Sequence, residues 1–136
     1  MIEREIDTAA TQDVINVTEI VAEVFRDRGT GIGFVFSPHT TAALIVSEDD
    51  QPDLHEDLKT VARQWLTGVG PFRHKRNDNP NTVAHVLTSF AGVSVPVPVQ
   101  DGHLMLGRHQ NLLLIELDGP RNRRLLFDFI PTGDKT

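Results

Sequence analysis

Six histidines, at positions 39, 55, 74, 85, 103 and 109, are the residues of this chain best suited to chemistry. Neutral imidazole is the commonest nitrogen ligand for zinc and its neighbours, and it exchanges protons near neutral pH. The chain has no cysteine, so a metal must bind through nitrogen and oxygen, and thiolate nucleophiles and disulfides are excluded together. None of the six lies in a His-Glu-x-x-His helix or at zinc-finger spacing, so spacing alone assigns no metal. His39 sits in "SPHTTAALIVSEDD" (37–50), either as a ligand or as a corner residue bonded to backbone. His85 is either a ligand or a solvated helix position. His55 borders an amphipathic stripe and His103 starts a hairpin strand, which gives both an ordinary structural reading.

The acids Glu48, Asp49, Asp50 and Asp53 offer hard-cation ligands or a general base. Negative charge is also what a helix N-terminus favours, and that explains most of them. Glu48 is explained least, because it lies at the end of the preceding strand. No glycine-rich phosphate loop and no Gly-x-Ser-x-Gly elbow is present. The net charge is −6 and the 13 Lys and Arg are scattered, which argues against a nucleic-acid partner. The N-terminus has no signal-like pattern and no apolar run approaches about 20 residues, so no membrane association is expected and the cytoplasm is the expected location.

These residues need elements to position them. With 136 residues, 39% of them hydrophobic, and no shift in composition, the chain reads as one domain, 1–136. "IEREI" alternates as a half-buried strand does. From Gln12, Val14, Val17, Val21, Val24 and Phe25 recur at helical spacing, with Gly29 as the stop. "GIGFVFS" and "TAALIVSE" read as strands meeting at the His39 corner. A helix follows Pro52, with Leu54, Leu58, Val61, Ala62 and Trp65 as its stripe, and then an irregular loop, "RHKRNDNPN". A second helix, "NTVAHVLTSFAG", places Val83, Val86, Leu87 and Phe90 on one face and turns His85 and Ser89 away from it. Strands close the chain: "VSVPVPVQ", "HLMLG", "NLLLIEL" and "RLLFDFI". Asp101–Gly102 between two of them predicts a hairpin. Pro96 and Pro98 predict an edge or irregular strand. The pattern is an α+β domain of seven mostly antiparallel strands with two to three helices.

Three stretches, "HTTAALIVSEDDQPDLHEDL", "RHKRNDNPNTVAHVLTSFAG" and "VPVQDGHLMLGRHQNLLLIELDGPRNRRL", resemble in order the motif blocks of the YjbQ-like family, often labelled secondary thiamine-phosphate synthase. The matching positions are His39, Thr40, Thr41, Ala42, Glu48, Pro52, Asp53, His74, His85 and Gln110. The resemblance implies a β-sandwich-like fold assembled as a homotrimer, with a cleft near the subunit interface. It implies a divalent metal, zinc or magnesium, on His39, His74 and His85, with Glu48, Asp53 and Gln110 as acid, base or positioning groups. It also implies a weak thiamine-phosphate synthase activity, joining a pyrimidine diphosphate to a thiazole phosphate with loss of pyrophosphate.

A leaving pyrophosphate calls for cations, which Arg73, Lys75, Arg76 and Arg108 can supply beside the motif histidines. The family tryptophan before Gln110 is His109 here, and the family Asn before Glu48 is Ser47. Arg73, Arg108 and His109 are thus the expected substrate-binding residues. The alternative is a non-catalytic trimer that binds a phosphorylated small molecule in the same cleft.

Overall fold

The structure, a computed structural model, describes residues 1–65, 72–73 and 81–132. In chain order its elements are β1 (Ile2–Asp7), β2 (Asp13–Asn16), α1 (Thr18–Phe25), β3 (Gly31–Phe36), β4 (Ala42–Glu48), α2 (Asp53–Trp65), α3 (Thr82–Ala91), β5 (Ser94–Gln100), β6 (His103–Leu104), β7 (Gln110–Glu116) and β8 (Asn122–Pro131). Every strand pair is antiparallel. A five-stranded sheet runs β1-β8-β3-β5-β6 and a three-stranded sheet runs β2-β7-β4. The expected α+β class holds, with eight strands in place of seven.

The added strand is β2. Val14 and Val17 continue the helical spacing of Val21 and Val24, but Asp13–Asn16 pairs with Leu113–Glu116 of β7, and the helix starts only at Thr18. Pairing on a sheet edge overrode a local period. The helix also stops at Phe25, before Gly29, whose positive φ of 81° serves the turn into β3.

The core lies between the two sheets. Val35 of β3, Val97 and Val99 of β5, and Leu125 and Phe127 of β8 meet Leu44 of β4, Leu112 and Leu114 of β7, and Val21 and Phe25 of α1. Phe25 packs edge-on against Phe127 with centroids 6.0 Å apart. A Cβ on Gly33 would lie 2.5 Å from the Phe25 ring, so β3 keeps a glycine there. Strand β7 is buried on both faces because α2 and α3 cover the other side of its sheet, through Ala62, Ala84 and Leu87. That explains the unbroken apolar run of "NLLLIEL".

Asp101 and Gly102 both have positive φ, and Gln100 pairs with His103, so the hairpin is the two-residue turn that Asp-Gly predicts. β6 covers only Val99 and Gln100 of β5. β5 is thus neither an edge strand nor irregular, but the Pro98 carbonyl accepts from Met105 N–H, away from β3, so the proline nitrogens two residues apart also face away from β3 and no bond of the β3–β5 ladder is lost.

One polar group interrupts the core. Glu116 is fully buried and Arg123 is 5% exposed, joined by Nη2–Oε2 at 2.5 Å and Nε–Oε1 at 2.8 Å. Truncating one partner leaves a buried charge unpaired, so Arg123→Ala should cost about 3–5 kcal/mol in urea unfolding at pH 7. The double substitution Glu116→Leu/Arg123→Met should recover most of that loss, because it removes both charges.

Candidate functional site

The His39 corner is made by chain geometry on both sides. Ser37 N–H donates to the Val93 carbonyl at 2.7 Å, and Leu117 N–H donates to the Thr41 carbonyl at 3.1 Å, so the corner is stitched to the start of β5 and to the end of β7. Helix α3 runs alongside and ends at Gly92, whose φ of 99° suits glycine. The space between corner and helix is a cavity of about 560 Å³. His39, Thr40 and Ser37 line one side, and His85, Thr88 and Ser89 line the other, with Phe36, Pro38, Gly92 and Val93 completing the wall. The expectation that His85 turns away from its helix's packed face, with Ser89 beside it, therefore meets a cavity that also contains His39.

That packed face is rotated from the expected one. Thr82, Ala84, Leu87 and Thr88 are the buried residues of α3, whereas Phe90 is 74% exposed. Thr88 is 3% exposed and its Oγ1 has no hydrogen-bond partner among the described residues. A buried hydroxyl without a partner costs free energy, and here it borders the cavity that a polar ligand would enter.

His39 Nε2 lies 3.0 Å from the Arg124 amide nitrogen, which donates to it, and 3.2 Å from the Arg124 carbonyl oxygen. The shorter contact, in which the Arg124 N–H donates, makes Nε2 an acceptor and puts the proton of the neutral ring on Nδ1; an ion bound at Nδ1 would shift that proton to Nε2, where the Arg124 carbonyl accepts it. Burial and then the nearby Arg123 guanidinium push the His39 pKa below its ordinary value, which keeps the ring neutral as a ligand must be.

The other expected residues gather elsewhere. Glu48 is the register partner of Gln110 at the far end of β4, and His109 bonds Asp50 through Nδ1. At about 3.3 Å per residue, the six steps from Ala42 put Glu48 about 20 Å along the strand from the His39 corner. Gln110 Oε1 accepts from Gly107 N–H at 2.8 Å, closing its own turn. Asp53 opens α2, and Asp53, Arg73 and Arg108 are exposed. At this end Asp49 does more than charge a helix start. Its oxygens bind His55 Nε2 at 2.6 Å and Asn16 Nδ2 at 2.5 Å. His103 Nδ1 bonds its own hairpin at Asp101 O, the ordinary role expected of it. His74, with Lys75 and Arg76, lies outside the described residues.

The structure thus brings together His39 with His85, and Glu48 with Gln110, but not the two pairs with each other within one chain. Among the described residues no group of three His, Asp or Glu side chains could hold a metal ion. Three residues were missed in the sequence: Thr88, Glu116 and Arg123. The signals for the last two were a single acid inside the apolar run of β7 and an arginine in phase with Leu125 and Phe127.

Comparison with known proteins gives the same pattern over nearly the whole chain. The family model described as UPF0047 protein YjbQ-like matches residues 2–132. A UPF0047 protein of Archaeoglobus fulgidus is 36% identical over 124 residues, covering 91% of this chain and 96% of its own. YugU of Bacillus subtilis is 32% identical, covering 88% and 90%. A crystal structure of a YjbQ/UPF0047 family protein from Clostridium acetobutylicum superposes with a TM-score of 0.87 at 30% identity, over 96% of this chain and 100% of that one. A protein from Aeropyrum pernix, APE1520, gives 0.86 at 34%, over 95% and 96%.

The lowered His39 pKa has a defined sign. Between its folded value and about 6.5 the unfolded chain binds the proton and the folded chain does not, so stability falls as pH drops below about 6.5. Urea midpoints from pH 7.5 to 5.5 should decline in the native chain, and the decline should be shallower in His39→Gln.

Proposed function

This chain belongs to the YjbQ-like UPF0047 family, and on that premise we propose that it is a metal-dependent cytoplasmic enzyme, working as a homotrimer, with its reaction centre in the His39–His85 cavity. The observation that supports this most is the unpartnered, buried Thr88 hydroxyl in a cavity walled by two imidazoles. Two imidazole nitrogen donors fit zinc better than magnesium, which prefers oxygen. On the family resemblance, His74 would be the further ligand. A bound ion there would supply Lewis acidity toward a phosphate oxygen.

The reaction proposed is thiamine-phosphate synthesis from a pyrimidine diphosphate and a thiazole phosphate. A C–N bond forms to the thiazole nitrogen, the C–O bond to the diphosphate breaks, and the electron pair leaves with pyrophosphate. Thr88 holds the substrate by a hydrogen bond, while Arg73, Arg108 and His109 meet phosphate oxygens. Glu48, Asp53 and Gln110 position the reacting groups. In a trimer, the Glu48 end of one β4 reaches the His39 cavity of a neighbour.

The outer face of the five-stranded sheet suits that assembly. Ile32, Phe34, Phe36 and Ile130 are 37%, 39%, 44% and 55% exposed on it, and Phe36 also borders the cavity. No described helix is long and apolar enough to cross a membrane.

The second reading is a non-catalytic trimer that binds a phosphorylated small molecule. It is favoured by the cavity wall itself, which among the described residues carries no carboxylate to act as general acid or base.

Protein purified without a histidine tag should carry close to one metal ion per chain, and His39→Ala and His85→Ala should each lower zinc affinity at least tenfold, since each removes a ligand. Unchanged affinity in both would overturn the ligand assignment. Saturable thiamine-phosphate formation lost in Glu48→Gln separates the enzyme from the binding protein, which would show only thermal stabilisation by phosphate compounds. Light scattering should give a trimer mass, and Phe34→Glu should shift it to the monomer. A monomer mass in the native chain at micromolar concentration would remove the shared site.

A further inference from the structure

Two successive residues of β8 hold the His39 corner from different sides. Arg123 Nη2 donates to Thr41 Oγ1 at 2.8 Å and to the Thr41 carbonyl at 3.3 Å. The backbone of Arg124 brackets His39 Nε2. The Arg123 side chain turns inward to Glu116, and that of Arg124 turns outward to Glu3, as alternation along a strand requires. Glu116 in turn is the end of β7, and the next residue, Leu117, ties the Thr41 carbonyl from the other side. Neither Glu116 nor Arg123 lines the cavity, yet every bond that fixes residues 39–41 to β7 and β8 passes through this pair or its chain neighbours.

We infer that the buried Glu116–Arg123 pair is a positioning device for His39, clamping the Thr41 corner onto β8 so that Nε2 stays on the Arg124 backbone and Nδ1 serves the cavity. Arg123 acts through Thr41 and never touches the ligand. The guanidinium is suited to this because its planar fork engages the carboxylate with two nitrogens while Nη2 still reaches Thr41; the compact ammonium of lysine lacks that geometry. The inference deepens the proposed function, since it assumes that His39 contacts the ligand.

The test uses the full chain, with Zn²⁺ alone as the probe. Thr41→Val deletes the Oγ1 acceptor and keeps the side-chain shape, and Thr41→Ser restores the hydroxyl. Glu116→Leu/Arg123→Met removes the clamp without leaving an unpaired buried charge. In the metal-free native protein, the two His39 ring ¹⁵N shifts should be well separated, as for a ring held in one tautomer. In Thr41→Val and in the double variant they should converge toward the averaged values of an exchanging ring, and the Kd for Zn²⁺ should rise roughly 10–100-fold, the usual effect of losing an outer-shell partner. Thr41→Ser should return both to native values.

Native shifts and native zinc affinity in a folded double variant and in Thr41→Val would overturn the inference. If the double variant does not fold, Thr41→Val and its serine rescue decide it. If the native chain binds no Zn²⁺, the metal reading fails by itself, and the metal-free ¹⁵N shifts still decide the positioning role.

Discussion

The structure depends on a carboxylate that water never reaches. Glu116 accepts from Thr8 Oγ1 at 2.7 Å, from Arg123 Nε and Nη2, and from the backbone N–H groups of Leu117 and Asp118 at 3.0 and 3.1 Å. Burial alone would raise its pKa, but Arg123, Thr8 and the Asp118 N–H together hold it below the usual carboxylate range. The group stays ionised because every acceptor position is used. Its partners come from the segment after β1, from β8 and from the turn after β7, and Arg123 adds the Thr41 corner. One buried anion therefore ties the two sheets together at a single end. A buried pair of this kind adds little net stability compared with an apolar substitute, but it admits one arrangement of those four segments. That end is where the cavity lies.

The remaining chemistry is set out along β4. Its first residues follow the His39 corner and are wholly buried, while its last residues alternate toward solvent and end at Glu48 beside Gln110. The strand is too long for both ends to touch one small molecule within one chain. At the far end the polar residues hold each other: Asp49 is shared by His55 and Asn16, and Asn111 accepts from Asn16 and from Thr18. Such a network fixes the start of α2 against β2 and β7. It also explains acids that composition alone would assign to a helix dipole.

The α+β class, both later helices and the Asp-Gly hairpin were legible because each rests on a local signal, a period or a turn dipeptide, whereas the proline-bearing strand pairs on both sides, with β3 and with β6. The pairing of His39 with His85 was legible in part, since the helical wheel turns His85 away from Val83, Val86 and Leu87. What was not legible depends on partners distant in sequence. Asp13–Asn16 is a strand only because β7 offers an edge, and its valines otherwise fit a helix. Glu116 and Arg123 lie seven residues apart across a turn and look like two of many surface charges. Only the burial of β7 on both faces, and the inward phase of Arg123 with Leu125 and Phe127, makes them core residues. The α3 face was misjudged for a related reason: Phe90 is more apolar than Thr88, but the sheet below takes the smaller side chains.

On the proposed reading, the charge distribution makes assembly and substrate a single question. A diphosphate needs cations near its leaving oxygens, and among the described residues the cavity wall holds imidazoles and hydroxyls but no Lys or Arg. Arg123, whose guanidinium reaches the Thr41 corner, is already paired with Glu116. Arg108 and His109 are exposed beside Gln110, at the opposite end of β4 and β7 from the histidine pair. A phosphorylated substrate seated at His39 would meet Arg108 where a second chain brings its Gln110 end to the first chain's cavity. The exposed Phe36 at the cavity rim, on a sheet face that also carries Ile32 and Phe34, gives that second chain an apolar surface to pack on. The same contact would bury the sheet face and complete the site, so loss of the trimer and loss of phosphate recognition should follow from one substitution.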